Sequence, residues 1–385
     1  MWVAVHYAEI GLKGRNRPRF EGALQRNLRR ALAPLGPVSV ERLQGRLIVQ
    51  LPDGTPPEAI QRRIGRVFGV AYFGRVTRCK PDPEAIAEVA EAIVAERAPR
   101  TFGIRARRAD KRHPFRSGDL ARSVGARIVR ATGSQVSLSD PEFWVDVHVL
   151  STEALVFHER CPGPGGLPVG PSGRVVALIS GGIDSPVAAH MILQRGCQAD
   201  FIHFHSTPYT SQASIEKVRD LVGRLAPYQG VTDLHLVPFA ELQQTLVQKA
   251  PPDPRIILYR RFMLRIATEV ARSTDARAVV TGDSLGQVSS QTLANLDTIG
   301  RVTPLQVFRP LIGMDKIEII ERARALGTYE VSIEPDEDCC SFLMPPHPST
   351  WADPESLDRI EAHLDVEGLV KTTVARIETE RLGEE

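Results

Sequence analysis

The residues Ser180-Gly181-Gly182-Ile183-Asp184-Ser185 have the types and spacing of a phosphate-handling turn. Glycines at 181 and 182 can take unusual φ/ψ values and let backbone N–H groups close on an anion, while Ser180 and Ser185 add hydroxyl donors. A helix starting near Asp184 or Ser185 aims its positive end at the same point, and Pro186 suits its first turn. No Gly-Lys-Ser/Thr follows, so this is not a Walker A loop, and no lysine at hand reaches the terminal phosphates. A carboxylate such as Asp184 among phosphates implies Mg²⁺ beside it, either ligated or positioned by it. The chemistry expected of this stretch is the handling of ATP.

A second reactive feature is Asp336-Glu337-Asp338-Cys339-Cys340-Ser341-Phe342, crowded by Pro335, Pro345 and Pro346. Loop thiols are accessible, although three carboxylates beside them raise a thiol pKa. Adjacent cysteines suit neither a structural disulfide nor a zinc pair, and none of the five cysteines forms a CxxC. Two idle loop thiols are the plain alternative. Cys197 reads as core, and Cys79 and Cys161 as structural or incidental.

These groups need elements to hold them. Val175 to Ile179 is an apolar run of the kind found in a parallel strand covered on both faces. Beyond it strands at 200–204, 233–238 and 278–281 alternate with helices from 186, at 212–225, through 242 and 247, and at 255–273. Such alternation predicts a parallel, Rossmann-like sheet whose ligands sit beyond the carboxyl ends of the strands, where Ser180, His203 and Gly282 fall. Ahead of it, 2–7 reads as a strand, 19–35 as an amphipathic helix, 38–51 as a hairpin turning at Gly45, and 56–66 as a helix. A second α+β unit follows, with helices from Pro81 to about Arg97 and at 119–131, and strands at 101–106, 143–150 and 154–160. The Gly/Pro-rich stretch from Cys161 to Gly173 is the clearest linker. The expected division is 1–75, 76–165, a linker at 166–173, and 174–385.

At 385 residues there is material for two to three domains. No apolar run approaches the roughly 18 residues that cross a bilayer, and early charges at Glu9 and Lys13 are unlike a signal peptide, so a cytoplasmic location and no membrane partner are expected. The net charge of +2 conceals an uneven distribution. Lys13 and Arg15 belong to one basic cluster; Arg105, Arg107, Arg108, Lys111, Arg112 and Arg116 belong to another. Guanidinium forks suit phosphate oxygens, so a polyanionic partner is expected, with a solvated Arg-biased surface as the alternative.

The turn at 180–185 resembles the PP-loop of ATP pyrophosphatases, SGGxDS. Together with Tyr7-Ala8-Glu9-Ile10-Gly11-Leu12-Lys13-Gly14-Arg15, Gly163-Pro164-Gly165-Gly166, Thr281-Gly282-Asp283-Ser284 through Gln291-Thr292, and Arg309-Pro310-Leu311-Ile312-Gly313-Met314-Asp315-Lys316, in that order, the chain resembles the tRNA 4-thiouridine synthetase family over nearly its whole length. That resemblance implies a ferredoxin-like domain and an RNA-binding THUMP domain before the PP-loop domain. It also implies adenylation of uridine 8 in tRNA by ATP and replacement of O4 by sulfur. Carried over residue by residue, it places nucleotide contacts at Leu178, Ile179, His203, Phe204, Arg260, Gly282 and Gln291, beside Ser180, Gly181, Gly182 and Ser185. Asp184, Lys316, Cys339 and Cys340 take catalytic roles.

Without that likeness Lys316 would read as a helix-surface lysine and His203 as a strand-end histidine. Arg260 and Arg261 are read as one facing the site and one facing solvent. Longer family members carry a rhodanese domain, for which a chain ending at Glu385 has no room. A cysteine desulfurase is therefore the expected sulfur donor, loading Cys339, with Cys340 the close alternative. The family further implies a homodimer and, as a second acceptor, the thiamine-pathway sulfur carrier protein. Competing readings are an ATP pyrophosphatase that uses nitrogen, a tRNA-binding module with a vestigial nucleotide fold, and a THUMP methyltransferase. The paired cysteines, the intact turn and the lack of a Gly-rich SAM loop speak against them in turn.

Overall fold

Alternating apolar residues near the N-terminus build a sheet backed by helices. The computed structural model describes residues 1–335, 343 and 348–383. It divides into two units, Met1–Pro168 and Val169–Glu385. The first unit begins with β1 (Trp2–His6), α1 (Arg17–Leu32), β2 (Ser39–Leu43), β3 (Arg46–Gln50), α2 (Pro57–Ile64) and β4 (Tyr72–Cys79). Gln44 and Gly45 both take positive φ between β2 and β3, as a tight two-residue hairpin requires. Leu24, Leu28 and Leu32 recur at helical spacing on α1 and pack with Ile60 and Ile64 of α2 over Val3, Val5, Leu47 and Val49.

The same unit continues through α3 (Pro83–Arg97), β5 (Thr101–Arg108), α4 (Ser117–Thr132), β6 (Gln135–Val136), β7 (Phe143–Val149), β8 (Ala154–Phe157) and β9 (Cys161–Pro162). The Asp82 carboxylate caps α3 by accepting from the Glu84 and Ala85 N–H groups. Ile86, Val94, Leu120, Val124 and Ile128 cover Phe102, Val145 and Val147. All strands of this unit form one sheet, in the order β2-β3-β1-β4-β8-β7-β5-β6, with β9 on β4. The division expected at residue 75 falls inside β4, which pairs with β1 along one stretch and with β8 through Thr77–Cys79. Pro81-Asp82-Pro83 marks the start of a helix, but the strand before it serves both halves.

The second unit contains β10 (Arg174–Leu178), α5 (Asp184–Gln194), β11 (Gln198–His205), α6 (Ala213–Gln229), β12 (Thr232–Pro238), α7 (Ala240–Lys249), α8 (Arg255–Ser273) and β13 (Ala278–Val280). It ends with α9 (Leu293–Gly300), β14 (Gln306–Phe308), α10 (Lys316–Leu326), α11 (Tyr329–Ser332), α12 (Pro354–Glu361), α13 (Val366–Val374) and β15 (Glu378–Leu382). The sheet order is β14-β13-β10-β11-β12-β15, with β14 through β12 parallel. From β10 the chain steps one way to β11 and β12, then crosses back to β13 and β14. The order therefore reverses at β10, and a crevice opens at the carboxyl end of that strand.

The strand at the far edge of this sheet was not foreseen. β15 runs antiparallel along β12, with Arg219–Glu380 and Arg381–Asp233 ion pairs beside it. Its sequence, Glu-Thr-Glu-Arg-Leu, has no apolar alternation because it closes an exposed sheet edge with charge. The core of this unit centres on α8, where Tyr259, Phe262 and Ile266 are fully buried with Val176, Ile202 and Val237 of the sheet. Among the described residues no helix is long and apolar enough to cross a membrane.

Candidate functional site

At the carboxyl end of β10 the turn is tied to itself. The Ser180 N–H donates to Ser185 Oγ at 2.9 Å, and the Gly182 N–H donates to Ser180 Oγ at 3.3 Å. Neither Gly181 nor Gly182 is among the residues at positive φ, contrary to expectation. The turn converges its N–H groups through its own serines and the start of α5, not through a left-handed nest.

The demand for glycine falls instead on Gly282, after β13. A Cβ there would lie 2.9 Å from Ser185 N, 3.0 Å from Ser185 Cα and 3.1 Å from the Asp184 carbonyl carbon. These are backbone atoms that cannot swing aside. Gly282→Ala is expected to push the turn out of register and lower ATP-dependent turnover about 100-fold, while melting within a few degrees of the parent protein. Steady-state AMP release and a thermal melt check both parts.

Asp184, the first residue of α5, is held from two sides. Lys316 Nζ donates to Oδ1 at 2.5 Å and Gln287 Nε2 donates to Oδ2 at 2.8 Å. Lys316 itself is fixed as the first residue of α10 by a capping box between Asp315 and Glu318. The three come from separate segments: the turn after β10, the loop after β13, and the start of α10. Gln287 was not assigned a role from the sequence, although it lies inside the 281–292 block.

Behind this trio stands a buried carboxylate, Asp283. It accepts from Arg260, from Thr281 Oγ1 at 2.7 Å and from Arg309 Nε at 3.3 Å, with Gln291 Nε2 at 3.5 Å. Arg260 also donates to Ser290 Oγ at 3.2 Å. Burial by itself pushes the Asp283 carboxyl up, but the Arg260 charge, the Thr281 and Arg260 hydrogen bonds and the Arg309 charge outweigh it and hold it below the ordinary value of 3.8. A carboxyl depressed on folding contributes stability that is fully present above its unfolded pKa and is lost as pH falls through the lower folded one. Asp283→Asn is thus expected to cost about 3 kcal/mol at neutral pH, by leaving two guanidinium groups without their counter-charge. Its loss of stability below pH 4 should be shallower than the parent's in denaturant titrations.

The remaining nucleotide-site expectations sort by geometry. His203 Nδ1 lies 3.0 Å from the Ile179 carbonyl, which can only accept, so the proton sits on Nδ1. Phe204 is turned into the core, edge-on to Phe239 at 5.3 Å, and Ile179 is buried, leaving their backbones for any ligand. Leu178 is half-buried at the end of β10. Gln291 Oε1 is buried with no hydrogen-bond partner among the described residues, an acceptor suited to a ligand's N–H. Arg261 corrects an expectation: it does not face solvent. It is buried and donates to Asp358 Oδ1 at 2.6 Å and Glu361 Oε2 at 2.8 Å, tying α8 to α12. Cys339 and Cys340 lie outside the described residues.

In the first unit the expected basic side chains are differently engaged. Arg107, Lys111, Arg112, Arg116 and Arg15 are exposed, though Arg112 clasps Asp110 at 2.7 Å. Lys13 lies 3.6 Å from Glu9, and Arg108 donates to the His113 carbonyl. The Arg105 guanidinium carbon lies over the Trp144 ring, 4.0 Å from its centroid. Residues passed over in the sequence join them on the sheet. His6 stacks on Tyr72 at 4.3 Å, and Arg46 Nη1 meets His148 Nδ1 at 2.6 Å. Burial first, then Arg46 and the nearby Arg107 and Arg160, pushes both imidazoles down to about 3, so both are neutral at physiological pH. Their Nε2 atoms are buried without partners among the described residues. No linear motif announces this cluster, because strands distant in sequence assemble it.

A parallel sheet with this turn at its switch point, and a carboxylate–lysine pair across it, defines a nucleotide-dependent enzyme of the PP-loop class. Family models described as Thiamine biosynthesis protein (ThiI), ThiI ferredoxin-like domain and THUMP domain match residues 170–366, 2–74 and 80–159. A probable tRNA sulfurtransferase of Brevibacillus brevis is 44% identical over 99% of this chain and 96% of its own length. One from Thermus thermophilus is 46% identical over 94% and 89%. A crystal structure of a 4-thiouridine synthetase–RNA complex with bound ATP superposes with a TM-score of 0.90 at 36% identity, covering 99% of both chains. The chain belongs to the tRNA sulfurtransferase family.

Proposed function

We propose that the chain is an ATP-dependent tRNA sulfurtransferase that converts uridine 8 to 4-thiouridine, with the second unit supplying the chemistry and the first unit the hold on tRNA. The observation that carries the reading is Asp184 pinned between Lys316 and Gln287 at the mouth of the Ser180–Ser185 turn. Uridine O4 attacks the α-phosphorus of ATP, and pyrophosphate leaves into the turn. There the N–H groups and the start of α5 offset its charge. Lys316 balances charge on the transferring phosphate while Asp184 fixes its position. Sulfur then attacks C4, and AMP departs with the old oxygen. When a persulfide delivers the sulfur, a thiol must next take up its inner sulfur to free the thiocarbonyl.

Mg²⁺ fits this site in a limited way. No trio of metal-ligating side chains occurs among the described residues, and Asp184 is the one carboxylate at the turn. Mg²⁺ normally binds through one or two carboxylates and the substrate's phosphates, and here Asp184 would supply the protein ligand and neutralise the pyrophosphate beside it. Lys13, Arg15, Arg105, Arg107, Arg108, Lys111, Arg112 and Arg116 form the RNA-binding surface in this reading. A cysteine desulfurase loads Cys339 or Cys340, and the family's name supports the thiamine-pathway sulfur carrier protein as a second acceptor.

Incubating the chain with ATP, Mg²⁺, unmodified tRNA and sulfide should give 4-thiouridine by nucleoside mass spectrometry, with one AMP per thionucleoside. AMP formed on another substrate with no thionucleoside would overturn the assignment.

A further inference from the structure

Thr292, the N-cap of α9, and Asn295 and Thr298 within the helix stand three residues apart and all reach the same short stretch of backbone. Thr292 Oγ1 donates to the Thr350 carbonyl at 2.9 Å, and Thr298 Oγ1 to the Ala352 carbonyl at 3.2 Å. Asn295 Nδ2 donates to the Ser349 carbonyl at 3.1 Å, while its Oδ1 accepts from the Ala352 N–H at 2.9 Å. Asn295 is fully buried. The same Nδ2 also donates to the Ser289 carbonyl at 2.7 Å, one residue before the Ser290 that receives Arg260. One amide therefore joins the loop behind Asp283 to the chain that follows the two-cysteine segment. At the other end of that segment, Lys217 Nζ donates to the Glu334 carbonyl at 2.6 Å and Ser332 Oγ to the Gly182 carbonyl at 3.4 Å.

We infer that Asn295, aided by Thr292 and Thr298, is a positioning residue for sulfur delivery: it fixes residues 349–352, which begin nine positions after Cys340, relative to the nucleotide loop. A buried amide bonded to three backbone groups of two segments is a rigid clip, whereas a surface contact would let the segments drift. The inference rests on the reading that a cysteine at 339 or 340 carries the sulfur. It requires that Asn295 matter when sulfur arrives through that cysteine and not when sulfide attacks from solution.

The test compares the parent chain, Asn295→Ala, Thr298→Val and a Cys339→Ser/Cys340→Ser double variant. Each receives ATP, Mg²⁺ and unmodified tRNA, with sulfur from cysteine plus a cysteine desulfurase in one arm and from sodium sulfide in the other. Asn295→Ala should lose at least about tenfold in the desulfurase arm and stay within about twofold of the parent in the sulfide arm. Thr298→Val, which removes one bond and keeps the side-chain volume, should show the same split at about threefold and decides the matter if Asn295→Ala does not melt like the parent. Equal losses in both arms, or none, would overturn the positioning role. A double-cysteine variant that matches the parent in the desulfurase arm would instead overturn the sulfur-carrier reading beneath it.

Discussion

Asp184→Ala should lower 4-thiouridine formation by about a thousandfold with either sulfur source while leaving the protein folded. The carboxylate is where Lys316 and Gln287 converge, so its loss frees the lysine to swing away from the phosphates and removes the protein's carboxylate from beside pyrophosphate. Removing one preorganised electrostatic group of this kind costs about 10² to 10³ in rate, and losing the aim of a second group with it puts the effect at the upper end. Stability should barely change. The side chain is partly exposed, and an acidic residue in a first helical turn contributes at most about 1 kcal/mol. Asp184→Asn should recover part of the positioning and little of the charge effect. Lys316→Ala should cost nearly as much as Asp184→Ala, and the double variant scarcely more, since the pair acts as one unit. Fully additive losses in that cycle would show that the two groups serve separate steps. Single-turnover measurement of pyrophosphate release is the most direct check.

The second large effect concerns sulfur. Cys339→Ser is expected to abolish thiolation fed by a cysteine desulfurase, because a serine hydroxyl cannot hold a persulfide, while sulfide-driven thiolation persists. Adenylation precedes sulfur attack, so pyrophosphate release in a single turnover should be unchanged. If Cys339→Ser retains full activity in the desulfurase arm and Cys340→Ser loses it, the carrier is the second of the pair. Both residues follow three carboxylates in the chain. Neutralising them as Asp336→Asn, Glu337→Gln and Asp338→Asn should therefore speed alkylation of the thiols by iodoacetamide at neutral pH, as weaker negative charge favours the thiolate.

Much of the site was legible because chemistry and local structure coincide in the chain. A run of apolar residues, two glycines and an Asp-Ser-Pro helix start occupy a dozen consecutive positions, so strand, turn and helix can be read together. The ferredoxin-like and THUMP halves were legible in outline from period-2 and period-3.6 patterns, and the expected division near residue 75 lies within β4, a strand that pairs with both halves. The edge strand β15 was missed because a charged edge has no apolar period. Arg261 faces no solvent because adjacent helical residues differ by 100° of rotation and the far side of α8 is covered by α12. It is met there by the Glu361 carboxylate from α12, a hundred positions on.

What the sequence by itself determined is the class of chemistry: a phosphate turn with a carboxylate, paired thiols, and basic segments before them, in the order of the tRNA sulfurtransferases. Only the tertiary structure decided which groups work together. Asp184 with Lys316 and Gln287, Asp283 with Arg260 and Arg309, and Asn295 with residues 349 to 352 are pairings between distant segments. A sheet whose strand order reverses at β10 brings the loops after β10 and β13 to one crevice, and no local pattern encodes that meeting.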